Sequence, residues 1–71
     1  MQTLRFPDGT KYFGDICNEL PNGKGTAFYA SGQVYSGDWT YGTPHGIGVL
    51  RTNETIYFGE FVEGKLKKLL N

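Results

Sequence analysis

Tyr35-Ser36-Gly37-Asp38-Trp39, then Gly42, then Pro44-His45-Gly46-Ile47-Gly48, is the segment around which this 71-residue chain is organised. Its first five positions occur three times. Tyr12-Phe13-Gly14-Asp15-Ile16 lies 23 residues upstream, and Tyr57-Phe58-Gly59-Glu60-Phe61 lies 22 downstream. The stretch that follows recurs as Pro21-Asn22-Gly23-Lys24-Gly25, and a turn pair precedes each tyrosine: Asp8-Gly9, Ser31-Gly32 and Asn53-Glu54. A fixed period of this length marks tandem supersecondary units, none of which can bury its apolar face alone. Units start near Tyr12, Tyr35 and Tyr57, so the chain opens on the back half of one unit and closes on the front half of another. One residue is missing between Gly48 and Arg51 relative to the first unit, which predicts a locally shortened second hairpin.

Each Tyr-x-Gly-x-aromatic run is short, rich in aromatic residues and bounded by Gly, Pro, Asn and Asp, which is the composition of a strand. Asp8-Gly9 and Ser31-Gly32 are hairpin signals, because glycine enters positive φ without steric cost. The pattern predicts strands near residues 10–17, 24–30, 33–40, 47–51 and 55–62, with a further one near 2–6. The fold class expected is all-β: an antiparallel meander of five or six strands, one elongated, twisted sheet over residues 1–64. Gly23-x-Gly25 and Gly46-x-Gly48 are expected to turn the chain and allow close backbone approach. Residues 65–71 form a tail or cap, where Leu66, Leu69 and Leu70 at i, i+3 and i+4 predict a short helical turn.

Strand side chains alternate faces. Tyr12, Gly14 and Ile16 therefore share one face, as do Tyr35, Gly37 and Trp39, and Tyr57, Gly59 and Phe61. Each glycine leaves a gap that a neighbouring ring can cover, which paves this face with aromatics. The other face alternates Lys11, Phe13, Asp15 and Cys17, then Val34, Ser36, Asp38 and Thr40, then Ile56, Phe58, Glu60 and Val62. It is mixed, and more apolar toward the C-terminus.

Composition excludes several function classes. Seven basic and seven acidic residues balance to zero formal charge, so no basic excess draws the chain to nucleic acid. No stretch approaches the ~18 apolar residues of a spanning helix. The single cysteine, Cys17, forbids an internal disulfide and, with no secretory h-region at the start, suits a reducing, cytoplasmic setting. Asn53-Glu54-Thr55 matches a glycosylation acceptor but reads as a polar turn between strands. The Gly-x-Gly pairs lack the lysine-serine/threonine and the following helix of a phosphate loop, and lack the third glycine of a dinucleotide fingerprint.

Taken together, Tyr-x-Gly-x-aromatic, the following Gly42 and His45-Gly46-Ile47-Gly48, at a period of about 23 residues, resemble the MORN repeat (membrane occupation and recognition nexus). The first copy departs from the pattern with Glu19 where the family often has Gly and Asn22 where it has His. The third keeps Gly64 in register and then breaks into Lys65-Leu66-Lys67-Lys68. The resemblance runs from about Phe6 to Gly64. It implies an elongated twisted antiparallel sheet and a scaffold role. The repeats of this family usually contact proteins, and some have been proposed to bind acidic phospholipids.

Candidate chemistry is sparse. Asp15, Asp38 and Glu60 share one repeat position, but equivalent residues in such a meander lie two strand spacings apart, on the order of 10 Å. That exceeds the separation at which paired carboxylates hydrolyse glycosides, about 5–9.5 Å, so they read as solvated or turn-pairing groups. His45 and Cys17 are too few for a zinc site and lack an orienting third group for nucleophilic catalysis. We therefore expect no catalysis, no metal and no cofactor. The aromatic face supplies the partner-binding candidates Tyr12, Tyr35, Trp39, Tyr57 and Phe61, since aromatics dominate interaction hot spots. The same rings are also the sheet's available core. Two alternatives stand for the partner. One is a protein, including a second copy of this chain. The other is acidic phospholipid at a peripheral membrane site, met by Lys65, Lys67 and Lys68, a cluster shorter than the four to eight basic residues usual for that role.

Overall fold

The computed structural model describes residues 2–71. Seven strands follow in order: β1 (Gln2–Arg5), β2 (Lys11–Cys17), β3 (Leu20–Phe28), β4 (Val34–Thr40), β5 (Thr43–Arg51), β6 (Ile56–Val62) and β7 (Lys65–Leu69). They form one antiparallel sheet in which each strand pairs with its neighbours in sequence, so β1 and β7 are its edges. The sheet measures 31 × 22 × 17 Å. The all-β meander is as the repeat predicts, with seven strands rather than five or six. The extra strand is β7. Lys65–Leu69, expected to hold a helical turn, pairs instead with β6 through Val62–Lys65 and Phe61–Leu66. A free sheet edge with a complementary apolar face outweighs the weak helical spacing of three leucines, because helices this short are unstable alone.

Two kinds of connection alternate along the sheet. At one rim, two-residue loops join β2 to β3, β4 to β5 and β6 to β7. Both loop residues have positive φ in each: Asn18 and Glu19, Tyr41 and Gly42, Glu63 and Gly64. This is the geometry of a type I′ turn, whose twist matches the flanking strands. Glycine holds the second position twice. Glu19 holds it once at φ 65°, a conformation that costs an L-residue about 1–2 kcal/mol. At the opposite rim, five-residue turns Phe6–Thr10 and Tyr29–Gln33 close with matching bonds. Phe6 N donates to Thr10 O (2.9 Å) and Tyr29 N to Gln33 O (2.9 Å). The third such turn has only Thr52–Thr55, and Thr52 Oγ1 accepts from the Glu54 and Thr55 amides at 3.2 and 3.1 Å. The missing residue therefore falls in this turn, not between Gly48 and Arg51: β3 and β5 are both nine residues long.

The Gly-x-Gly segments also differ from expectation. They lie inside β3 and β5, not in loops. Gly14 pairs with Gly25 and Ile16 with Pro21, so residues 22–24 oppose Asp15 alone. The same bulge recurs between Gly37–Gly48 and Trp39–Pro44, opposite Asp38. The Lys24 amide donates to Asp15 Oδ2 (3.2 Å) and the Ile47 amide to Asp38 Oδ2 (3.1 Å). A Cβ on Gly23 would sit 2.9 Å from Asp15 Oδ2, and one on Gly46 would sit 2.8 Å from Asp38 Oδ2. Proline, asparagine and glycine read as strand breakers, but here a bulge absorbs them without ending the strand. The third copy has only one extra residue, Lys67.

Successive units are tied rim to rim. Gly42 N donates to Pro21 O and Gly64 N to Pro44 O, both at 2.8 Å. Beside them Tyr41 N donates to Asn22 Oδ1 (3.0 Å) and Glu63 N to His45 Nδ1 (3.3 Å). Asn22 and His45 occupy one repeat position and perform one task, accepting an amide from the next unit's turn.

Two outcomes follow from these connections. Glu19→Gly relieves the left-handed strain and is expected to raise unfolding stability by about 0.5–1 kcal/mol after the entropy of the unfolded glycine is counted. Urea titration reads this directly, and an unchanged or lowered midpoint would contradict it. His45→Ala should lose about 0.5–1 kcal/mol, whereas His45→Asn, which copies the preceding unit, should hold the wild-type midpoint.

Candidate functional site

Four of the five rings expected to meet a partner form the core. Tyr12 and Tyr35 are each 1% exposed, Trp39 5% and Phe61 2%. A single-layer sheet has no second layer to pack against, so its own rings must lie down on one face to exclude water. They do so edge to face. Trp39 packs against Tyr12 (centroids 5.1 Å, interplanar 80°) and Tyr35 (5.2 Å, 84°), and Tyr35 packs against Phe61 (4.9 Å, 77°). Each such pair adds about 0.5–1.5 kcal/mol beyond burial. Tyr12 thus meets the aromatic of the next unit, and Tyr35 repeats the contact one unit on.

The glycines make this possible, but the tightest seats are Gly25 and Gly48 of the Gly-x-Gly segments rather than the glycines between the large residues of the ring's own strand. A Cβ on Gly25 would lie 2.0 Å from Tyr12 Oη, and one on Gly48 would lie 2.2 Å from Tyr35 Oη. The rings therefore cover bare backbone on the neighbouring strand. Their hydroxyls donate past it, Tyr12 to Asp15 O (2.7 Å) and Tyr35 to Asp38 O (2.9 Å). Trp39 Nε1 donates to Gly25 O at 3.0 Å. Tyr57 departs from this plan. The partner of Gly59 is Leu69 where the earlier units pair two glycines, so no bare seat awaits its ring, and it stays half-buried.

The remaining candidates are dispersed. Lys65, Lys67 and Lys68 are exposed on β7, but Lys68 stands opposite Glu60, Lys65 opposite Val62, and Lys67 in the bulge. Lys65 and Lys68 therefore share the face of Glu60 and Val62, where Glu60 offsets part of their charge. Asp15 and Asp38 cap bulges, as above. The Lys24 ammonium pairs with Asp38, and its hydrogen bond, aided by the Ile47 amide and opposed by burial, holds that carboxyl below its ordinary range. Among the described residues no group of three or more His, Cys, Asp or Glu could hold a metal ion. On the opposite face of the sheet, cross-strand pairing aligns Phe13, Thr26, Ser36, Val49 and Phe58 in one row. It is mixed as expected, with Phe13 and Phe58 exposed and a Thr26–Ser36 hydrogen bond of 3.0 Å between them.

Two grooves open on the aromatic face. The first, about 420 Å³, has Tyr12, Ala27 and Trp39 in its floor and is edged by Phe6, Asp8 and Tyr29 on one side and by Pro21 and Gly42 on the other. The second, about 600 Å³, is the first moved along by one unit. Tyr29 stands where Phe6 stood, Ser31 for Asp8, Tyr35 for Tyr12, Pro44 for Pro21, Leu50 for Ala27, Phe61 for Trp39 and Gly64 for Gly42. Phe6 and Tyr29 are half-buried and present apolar surface to both rim and floor. Sequence reasoning passed over them. The signal was available: each lies six residues ahead of a motif tyrosine.

Burial of the ring, and secondarily the Asp38 carboxylate beside it, push the Tyr35 phenol up to about 12. Burial also raises Tyr12 and Tyr29. An unfolded tyrosine ionises near 10. Above that pH the unfolded chain sheds a proton that the folded chain keeps, so stability is full below about pH 10 and falls toward pH 12. Melting temperature should decline across this window. Phenolate absorbance should show Tyr35 ionising only as the sheet unfolds, and Tyr35→Phe should flatten the decline.

Comparison with known proteins bears on this architecture. The family profile described as MORN repeat matches residues 18–34, 35–53 and 57–66, about two thirds of the chain. No curated protein matches significantly. The matched segments span β3 with the turns on either side of it, the β4–β5 hairpin, and β6 with the turn into β7. MORN repeats are non-catalytic modules of protein or membrane interaction, and this chain belongs to the MORN repeat family.

Proposed function

We propose that this chain is an adaptor or scaffold module without catalytic activity and that its protein partner lies in the two grooves of the aromatic face. The observation that carries this reading is the recurrence of one groove at the period of the repeat, each time with an aromatic rim and an aromatic floor. Partner pockets are concave, mostly apolar and largely preformed. Here Tyr12, Tyr35, Trp39 and Phe61 act as the floor that fixes the shape, while Phe6 and Tyr29 offer the accessible contact. Tyr57, half-exposed, extends the same face toward β7. The unpaired edges β1 and β7 favour self-association as a second use of the sheet; a molar mass that rises with concentration in light scattering would support it, and a constant monomer mass would remove it. Peripheral binding to acidic phospholipid through Lys65, Lys67 and Lys68 is the weaker alternative, because Glu60 faces Lys68 and net charge is zero.

The groove reading is tested with peptides selected from a displayed random library against the whole chain. Phe6→Ala and Tyr29→Ala are each expected to weaken the selected peptides by about tenfold or more, the scale of an interface hot spot, while thermal melts remain cooperative. Peptides indifferent to both changes would place the partner elsewhere. Sedimentation with phosphatidylserine or phosphoinositide vesicles separates the lipid alternative, which requires salt-sensitive binding lost on changing all three lysines to serine.

A further inference from the structure

We infer that the first groove is built for a basic side chain: a lysine or arginine of the partner, its alkyl stem over Tyr29 and Trp39 and its cation on Asp8. The inference rests on the groove reading above and names the chemistry of the occupant.

A single charge serves the two grooves. Of all the residues lining either one, a single residue is ionisable to a full charge at neutral pH, and it is Asp8, which stands at the boundary and touches both. One of its oxygens, Oδ1, is held by the Thr10 amide at 2.9 Å, which fixes the carboxylate against the turn. Among the described residues no lysine or arginine pairs with Asp8; the ion pair present joins Lys24 and Asp38. The second oxygen thus remains for a ligand, at the exposed edge of a groove lined by aromatic rings. An acidic or neutral ligand drawn over this site would leave a carboxylate partly desolvated and unanswered, which is unfavourable. A lysine or arginine answers it with a charge-assisted hydrogen bond. Its methylene stem covers apolar surface while the head stays at the polar rim, and the aromatic faces of Phe6, Tyr29 and Trp39 attract the cation further.

The second groove has the same frame and shares Asp8 only at the edge where it meets the first. At the position one repeat on from Asp8 it carries Ser31, and Leu50 stands for Ala27, which makes the end away from Asp8 a seat for an apolar side chain. One unit is two strand spacings, about 10 Å. The partner segment therefore presents a basic residue and an apolar residue about that far apart.

The peptides selected against the whole chain provide the test. Wild type should enrich lysine and arginine at one position, and the affinity of those peptides should fall as salt rises from about 0.01 M to about 1 M, where the screening length shrinks from roughly 30 to 3 Å. Asp8→Asn keeps an Oδ1 acceptor for the Thr10 amide and so preserves the turn, which an unchanged melting temperature verifies. It should cost about tenfold in affinity for the basic peptides and flatten their salt dependence. Ser31→Asp should create a second basic preference in the neighbouring groove. Peptides that depend on Phe6 and Tyr29 yet show no basic enrichment, or that ignore Asp8→Asn, would overturn the charge inference and leave the groove reading standing. Failure to select any peptide sensitive to Phe6→Ala or Tyr29→Ala would overturn both.

Discussion

The arrangement depends on one contact: a tyrosine ring laid flat on the bare backbone of a glycine in the adjoining strand. Tyr12 over Gly25 and Tyr35 over Gly48 leave no room for even a methyl group, and each hydroxyl is received by a backbone carbonyl of its own strand. Because the ring lies flat, its edge faces along the sheet, where the aromatic of the next unit meets it. A sheet with no covering layer acquires a dry interior in this way, from side chains that in a sandwich would stand upright. Among the described residues the hydrophobic core cluster is small, Tyr12, Ala27, Tyr35, Trp39 and Phe61, and each of its four rings is held by at least one ring contact.

The aspartates belong to the same device. The bulge opposite Asp15 and Asp38 begins directly beyond the glycines on which the rings lie. Three residues packed against one leave amides that the ladder does not use. The carboxylates take up one amide in each case, consistent with the rule that backbone donors are rarely left unpaired. Repeated acidic residues in a pattern of glycines and aromatics thus serve backbone geometry here, and the same holds for His45, whose imidazole receives the next turn's amide as Asn22 does one unit earlier.

Much of this was legible in the residues. The period of Tyr12, Tyr35 and Tyr57 announces tandem hairpins, and alternation places Gly14, Gly37 and Gly59 on the aromatic face. What escaped was the behaviour of pairs distant in sequence. Pro21-Asn22-Gly23 reads as a loop because each residue disfavours a regular strand; nothing local says that Asp15 across the ladder stabilises the irregularity. Lys65–Leu69 reads as a helical scrap because its spacing carries no information about a vacant edge beside β6. The rings of Tyr12 and Trp39 could be assigned to a face but not to core or surface, since that depends on whether anything covers them. Phe6 and Tyr29 are hidden for a simpler reason: they precede the motif and stand outside its spacing of glycines.

The strictly sequential order of the strands has a kinetic consequence. Sheet proteins are usually slow to assemble because strands distant along the chain must find one another before any pairing compensates for the lost freedom. Here every ladder joins elements separated by a short connection, and even the ring contacts span only one repeat. The chain has the composition of a β protein, yet each of its strands pairs only with its neighbours in sequence. Assembly can begin at whichever hairpin forms first and spread outward by adding one strand at a time to an existing edge, with no closure step required at the end.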